Sequence, residues 1–305
     1  MKVNRIRQNV FPVLAAFIWG TAFVAQSVSS DYIPPFTFNL LRSLVAAVVL
    51  GGGLAVYRRL LQAKRPQAVK PLAHSRRDLL LGGLCCGTAL GIAANLQQAG
   101  MAETSAGKAG FITALYIVLV PVLGLFLHKK APATVWVGVV LAVAGLYFLC
   151  VNEALTLSRS DLLVMLCAFV FAGHILLVDH FTRTVDGVAL SALQFVVAAA
   201  LSGLGAALWE APTWEGIRQC VWPILYVGIF SSGVGYTLQI LAQKDANPTV
   251  VSLLLSLESV FSVLAGAVIL HDRLSGRELL GCGLMFLAVV LTQLPQRAPK
   301  VAQRQ

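Results

Sequence analysis

The 305-residue chain is 58% hydrophobic and only 12% charged, with a formal net charge of +10 and a mean hydropathy of +0.80. Soluble domains carry about 25% charge, so the composition excludes a soluble enzyme and specifies a polytopic membrane protein. The basic residues sit in short loops rather than along one amphipathic face, which excludes a nucleic-acid partner.

Ten apolar segments are long enough to cross a hydrocarbon core of about 30 Å: 10–29, 35–57, 79–99, 106–127, 133–151, 162–179, 188–209, 221–242, 248–270 and 279–294. The first comes after Lys2, Arg5 and Arg7, exceeds a secretory signal core and has a counterpart later in the chain, so it is expected to span. It carries Trp19. The second carries Asn39, Arg42 and Ser43 on one helical face, about 10 Å below the Pro35 end. A guanidinium at that depth costs about 2.5–3.5 kcal/mol and needs an aqueous cavity, a counter-charge or a ring of acceptors. The competing expectation is that Arg42 snorkels to headgroups along its stem.

In the third segment, Asn95, Gln97 and Gln98 cluster near one end, and Gly87 and Gly91 have the spacing of a close helix contact. Lys108 opens the fourth, where it would draw a carboxylate or meet solvent beside Glu103; Tyr116 lies deeper. His174 in the sixth is a candidate for proton relay or for a satisfied interior group. Gln239 in the eighth lies four residues after Gly235, as Asn95 does after Gly91, which favours Asn95 and Gln239 as cavity residues over the neighbouring glutamines. Glu258, about ten residues into the ninth, must be paired, hydrated or protonated. It would couple a proton, pair with Arg42, or bond backbone or hydroxyl groups, such as Ser262 one turn on. Ser252, Ser256 and Ser259 form a stripe on another face, suited to tight packing.

With the N-terminus cytoplasmic, seventeen Lys and Arg fall on the inner side and five on the outer, and both termini are expected to be cytoplasmic. The one long basic loop, from Arg58 to Arg77, is a candidate for anionic lipid. The six cysteines lie in or beside apolar segments with no CxxC spacing, so neither a disulfide framework nor a metal site is expected. No phosphate-cradling GxxxxGK[ST] motif is present.

The chain repeats internally. A shift of 152 matches Ala16-Phe17 with Ala168-Phe169 and Gly51 and Gly53 with Gly203 and Gly205, and a shift of 143 matches Leu127-His128 with Leu270-His271. These matches imply two repeats of five helices, 10–151 and 160–294. Because five is odd, the second enters the membrane inverted, the arrangement that places a substrate near the midplane and supports alternating access.

Trp19-Gly20, the run Gly110-Phe111-Ile112-Thr113-Ala114-Leu115-Tyr116 leading to Val120-Pro121, and Ser256-Leu257-Glu258-Ser259 with Leu270-His271-Asp272-Arg273 after it resemble the EamA branch of the drug/metabolite transporter superfamily over nearly the whole chain. Two departures stand out: Leu257-Glu258-Ser259 where the family commonly has Leu-Glu-Pro, which puts a hinge there in doubt, and His271-Asp272-Arg273 for Gly-Glu-Arg. The resemblance implies an exporter of small amphipathic metabolites, such as amino acids, or of drugs, in the bacterial inner membrane, without ATP hydrolysis.

The joint expectation is a non-enzymatic, cofactor-free secondary transporter, monomer or homodimer, with a cavity between the halves. Arg42 and Asn39 would hold the carboxylate of a small solute, and Trp19 and Tyr116 would cover its apolar part. Asn95 and Gln239 would add polar contacts, and Glu258 or His174 would couple a proton. The rival expectation on the same architecture is a flippase for a lipid-linked substrate.

Overall fold

The computed structural model describes residues 2–64, 71–104, 106–128, 133–150, 158–244, 246–269 and 275–293. Its helices are α1 (Lys2–Ser30), α2 (Pro35–Lys64), α3 (Arg76–Gly100), α4 (Ala106–Ala114), α5 (Tyr116–Phe126), α6 (Ala133–Cys150), α7 (Arg159–Phe181), α8 (Gly187–Trp209), α9 (Trp214–Gln219), α10 (Val221–Tyr226), α11 (Tyr236–Gln243), α12 (Pro248–Leu255), α13 (Glu258–Ile269) and α14 (Gly276–Gln293). A π-helical stretch, Val227–Gly235, joins α10 to α11. Eight spans are long and apolar enough to cross a bilayer, and two shorter apolar helices lie within α6 and α14. The protein is an all-α, multi-pass membrane protein of ten apolar segments, as expected; among the described residues there is no strand, only one bridge between Ala73 and Val185. The segment 270–274, with His271, Asp272 and Arg273, lies outside the described residues, as does 65–70 of the basic loop.

Polar caps at the chain reversals start the helices. Ser75 accepts from the Asp78 amide at α3, Ser158 and Asp161 make a reciprocal capping box at α7, and Asn247 precedes Pro248 at the first position of α12. The α2 cap comes from far along the chain. Glu210, just past α8, accepts from the Phe36 and Thr37 amides and the Thr37 hydroxyl, each at 2.7 Å. Replacing Glu210 by Ala leaves those amides uncapped and is expected to cost about 1–2 kcal/mol, read as a lower thermal midpoint in detergent.

Packing between elements obeys an exchange rule. α1 packs on α11 and α13 as α7 packs on α3, α4 and α5; α2 and α8 pack on each other, and so do α6 and α14. Glycines allow the closest approaches: a Cβ on Gly87 would stand 2.5 Å from Val197 Cβ and 2.7 Å from the Gln194 carbonyl, so this spacing is indeed a helix contact. Trp209, Trp214 and Trp222 gather around α9 and are each more than 70% exposed, the composition of an aromatic belt at a membrane interface.

Two helices break at mid-span. α4 ends at Ala114 and α5 starts at Tyr116; α12 ends at Leu255 and α13 starts at Glu258. The second break occurs although Ser259 stands where the family commonly has proline. The hydroxyls of Ser252, Ser256 and Ser259 bond carbonyls three residues back, and all three are fully buried; such back-bonds bend helices.

Candidate functional site

The breaks and the π-helical stretch surround one interior cavity. On α1, Trp19, Phe23 and Gln26 have spacings of four and three and present one face to it. Arg42 enters from α2, Gln97 from α3, Thr113 and Tyr116 from either side of the α4–α5 break. Phe171 and Ile175 of α7, one turn apart, form another wall. Ser231, Tyr236, Gln239 and Glu258 complete it. The space open to the centre of a water molecule is about 40 Å³, so the cavity admits water-sized groups.

The apolar walls are fixed by their own polar atoms. Trp19 Nε1 donates to the Ser231 carbonyl at 3.1 Å, within the π-helical stretch, and its ring lies 4.7 Å from that of Tyr236. Interruptions of this kind release backbone carbonyls from the helical ladder and recur at functional sites. A Cβ on Gly235 would come within 2.6 Å of Trp19 Nε1, so that residue is held to glycine by the indole.

Arg42 is 3% exposed. Its Nη1 donates to Gln26 Oε1 at 3.3 Å, its guanidinium lies 5.9 Å from the centroid of the Phe38 ring, and its Nε has no protein acceptor. It is an interior group and does not snorkel. Glu258 is also 3% exposed, with Oε1 unpartnered. Among the described residues no ion pair joins Glu258 to Arg42, and Ser262 Oγ is itself unpartnered, so neither the pairing with Arg42 nor the bond to Ser262 forms; the hydroxyl beside Glu258 is that of Tyr116. Among the described residues Gln239 Oε1 also reaches the cavity without a protein partner, although Gln239 Nε2 donates to Gln243 Oε1. Buried side-chain polar atoms are nearly always partnered in native proteins. Three orphans on one cavity, Arg42 Nε, Glu258 Oε1 and Gln239 Oε1, therefore mark a site for water or a polar solute.

Other candidates fall elsewhere. Asn39 Nδ2 donates to the Ala94 carbonyl and Asn95 Oδ1, both at 3.0 Å, and Asn95 Nδ2 donates to the Gly91 carbonyl and Ser202 Oγ, both at 2.8 Å. The pair fastens α2 to α3 and α8 outside the cavity lining. The preference for Asn95 over its neighbouring glutamines is thus reversed: Gln97, two residues on and about 200° around the helix, lines the cavity and donates to Thr113 Oγ1 at 3.1 Å. His174 is fully buried outside the lining, with Nε2 3.0 Å from Gln194 Oε1. Lys108 forms a 2.7 Å ion pair with Asp161, and Glu103 accepts from Ser160. Sequence reasoning missed Gln26, Phe171 and Tyr236. Their signals were present, since Gln26 lies seven residues beyond Trp19 and Tyr236 three before Gln239.

A model of the EamA-like transporter family matches residues 8–151 and again 158–294. The chain is 26% identical over 296 residues to an uncharacterized transporter of Archaeoglobus fulgidus, covering 96% of this chain and 87% of that one. It is 25% identical over 285 residues to the uncharacterized transporter YoaV of Bacillus subtilis, covering 92% and 94%, and 24% identical over 293 residues to a chloroplastic WAT1-related protein of Arabidopsis thaliana, covering 92% and 68%. A crystal structure that is 19% identical superposes with a TM-score of 0.76 over 94% of this chain and 96% of that one, a likeness of fold.

Proposed function

The chain belongs to the EamA-like transporter family and is a membrane transporter, not an enzyme; from that premise we propose that it is a secondary exporter of a small, amphipathic, amino-acid-like metabolite. The observation that carries this reading is the cavity itself, walled by α1–α5 from the first half and by α7, α11, α13 and the π-helical stretch from the second, with a buried guanidinium that no carboxylate among the described residues neutralises. A solute carboxylate bonds Arg42 in this scheme, and Trp19 and Tyr116 cover its apolar part.

The halves, 10–151 and 160–294, act as inverted repeats that rock about the cavity to open it to each side in turn. The exchange rule in the packing supports this, as do the interrupted helices: the α4–α5 and α12–α13 breaks fall at nearly corresponding positions in the two halves, and paired interruptions point to a transporter binding site. The positive-inside bias supports cytoplasmic termini, in this reading on the inner membrane of a bacterium.

The test is counterflow in proteoliposomes of the full-length protein, loaded in turn with amino acids, related metabolites and cationic drugs. Exchange of a carboxylated metabolite, inhibited by its own unlabelled form, supports the reading. Inhibition only by lipid headgroups, with no soluble solute exchanged, overturns it in favour of a flippase.

A further inference from the structure

Resting on that reading, we propose that the cavity is a two-pole site that selects zwitterions, with Arg42 receiving a carboxylate and Glu258, beside the Tyr116 hydroxyl, receiving an ammonium group. Arg42 and Glu258 are both 3% exposed, line the same cavity and carry opposite formal charges. Taking two charges out of water is compensated only by close pairing and by filling the remaining hydrogen-bond positions. The fold declines the obvious solution: Arg42 reaches Gln26, a neutral amide, and no ion pair joins it to Glu258 among the described residues. Each charge keeps an open position, a donor at Arg42 Nε and an acceptor at Glu258 Oε1. A ligand with a negative end and a positive end completes both; a simple anion or a simple cation completes only one.

The surroundings fit the same assignment. Arg42 enters from α2 and donates to the Gln26 amide oxygen, whereas Glu258 stands at the start of α13 as the electrostatic neighbour of Tyr116. The Tyr236 ring packs on Trp19 within the cavity lining, offering aromatic surface to an ammonium group. Trp19 and Phe171 line the same cavity and offer it to an apolar side chain.

The experiment is a thermal-shift titration of the full-length protein in detergent with the twenty common amino acids, and then with the decarboxylated amine and the deaminated acid made from the tightest binder. One lost charge-assisted bond corresponds to about ten- to hundredfold in affinity. The wild type is therefore expected to bind the amine and the acid each at least about tenfold more weakly than the amino acid. Glu258→Gln, which keeps the shape, should bring the amino acid down to the level of the acid and leave affinity for the acid within about twofold. Equal wild-type affinity for either single-pole analogue overturns the proposal, as does an equal loss for amino acid and acid in Glu258→Gln. The analogue comparison needs no variant and so stands even if the substitution impairs folding. If no amino acid binds while counterflow moves a cationic drug, the two-pole site is refuted and the transporter reading survives; if no soluble solute moves at all, both fall.

Discussion

Gly20→Ala is expected to abolish most transport and lower the thermal midpoint, although the change adds one methyl group and exchanges the poorer helix former for the better. A Cβ at this position would lie 2.4 Å from Phe261 Cβ and 2.8 Å from both the Glu258 carbonyl oxygen and the Phe261 carbonyl carbon. Two of those three atoms belong to backbone, so no rotamer change relieves the clash, and α1 must move away from α13. Overpacking of this kind costs about 1–3 kcal/mol, against at most about 1 kcal/mol regained from helix propensity. The displaced wall carries Trp19 on one side and Glu258 on the other, so the functional loss should be the larger effect, a fall in counterflow rate of about tenfold or more. Gly52→Ala is the matched control. Nothing lies within 4 Å of a Cβ there, and that variant should transport at the wild-type rate with an unchanged or raised midpoint. Wild-type transport and midpoint in Gly20→Ala would show that the α1–α13 crossing has slack.

The membrane class and the interior placement of Arg42 were legible in the sequence because each is decided by a large energy: apolar length by the hydrocarbon thickness, and a mid-segment guanidinium by the cost of leaving it in lipid. Rotation about a helix axis was less legible. Asn95 and Gln97 differ by two positions, and the matching of Gly91–Asn95 to Gly235–Gln239 favoured the wrong one. The π-helical stretch Val227–Gly235 precedes Gln239, whereas the corresponding part of α3 is regular helix; an extra residue per turn rotates every residue C-terminal to it, so matched positions need not face matched directions. The break before Glu258 was hidden for a similar reason, since serine back-bonding rather than proline accompanies it. The partner of Lys108 was out of reach altogether: Asp161 lies 53 residues away in the other half, and only the packing of α4 on α7 brings the two together.

Arg42→Gln and Asn39→Ala, one turn apart on α2, are expected to fail in opposite ways. Asn39 donates to the Ala94 carbonyl and to Asn95, in a network that reaches Ser202 on α8. Truncating it strands buried partners at about 1–3 kcal/mol, so Asn39→Ala should lower the midpoint while leaving affinity for a carboxylated solute nearly unchanged. Arg42 makes one long bond, 3.3 Å to Gln26, and leaves Nε open. A buried cation without a counter-charge is weak support for a fold, and a glutamine amide can still meet Gln26. Arg42→Gln should therefore keep or raise the midpoint, yet lose about ten- to hundredfold in affinity for the carboxylated solute, the worth of a charge-assisted bond. Arg42→Lys should recover only part of that loss, because an ammonium cannot present the planar fork that grips both carboxylate oxygens. Titrations and melting curves on the three proteins decide the matter. If Arg42→Gln melts as low as Asn39→Ala and binds as well as the wild type, Arg42 is a fastener of α2 like Asn39, and the anion pole of the cavity must be sought among Gln26, Gln97 and Tyr236 instead.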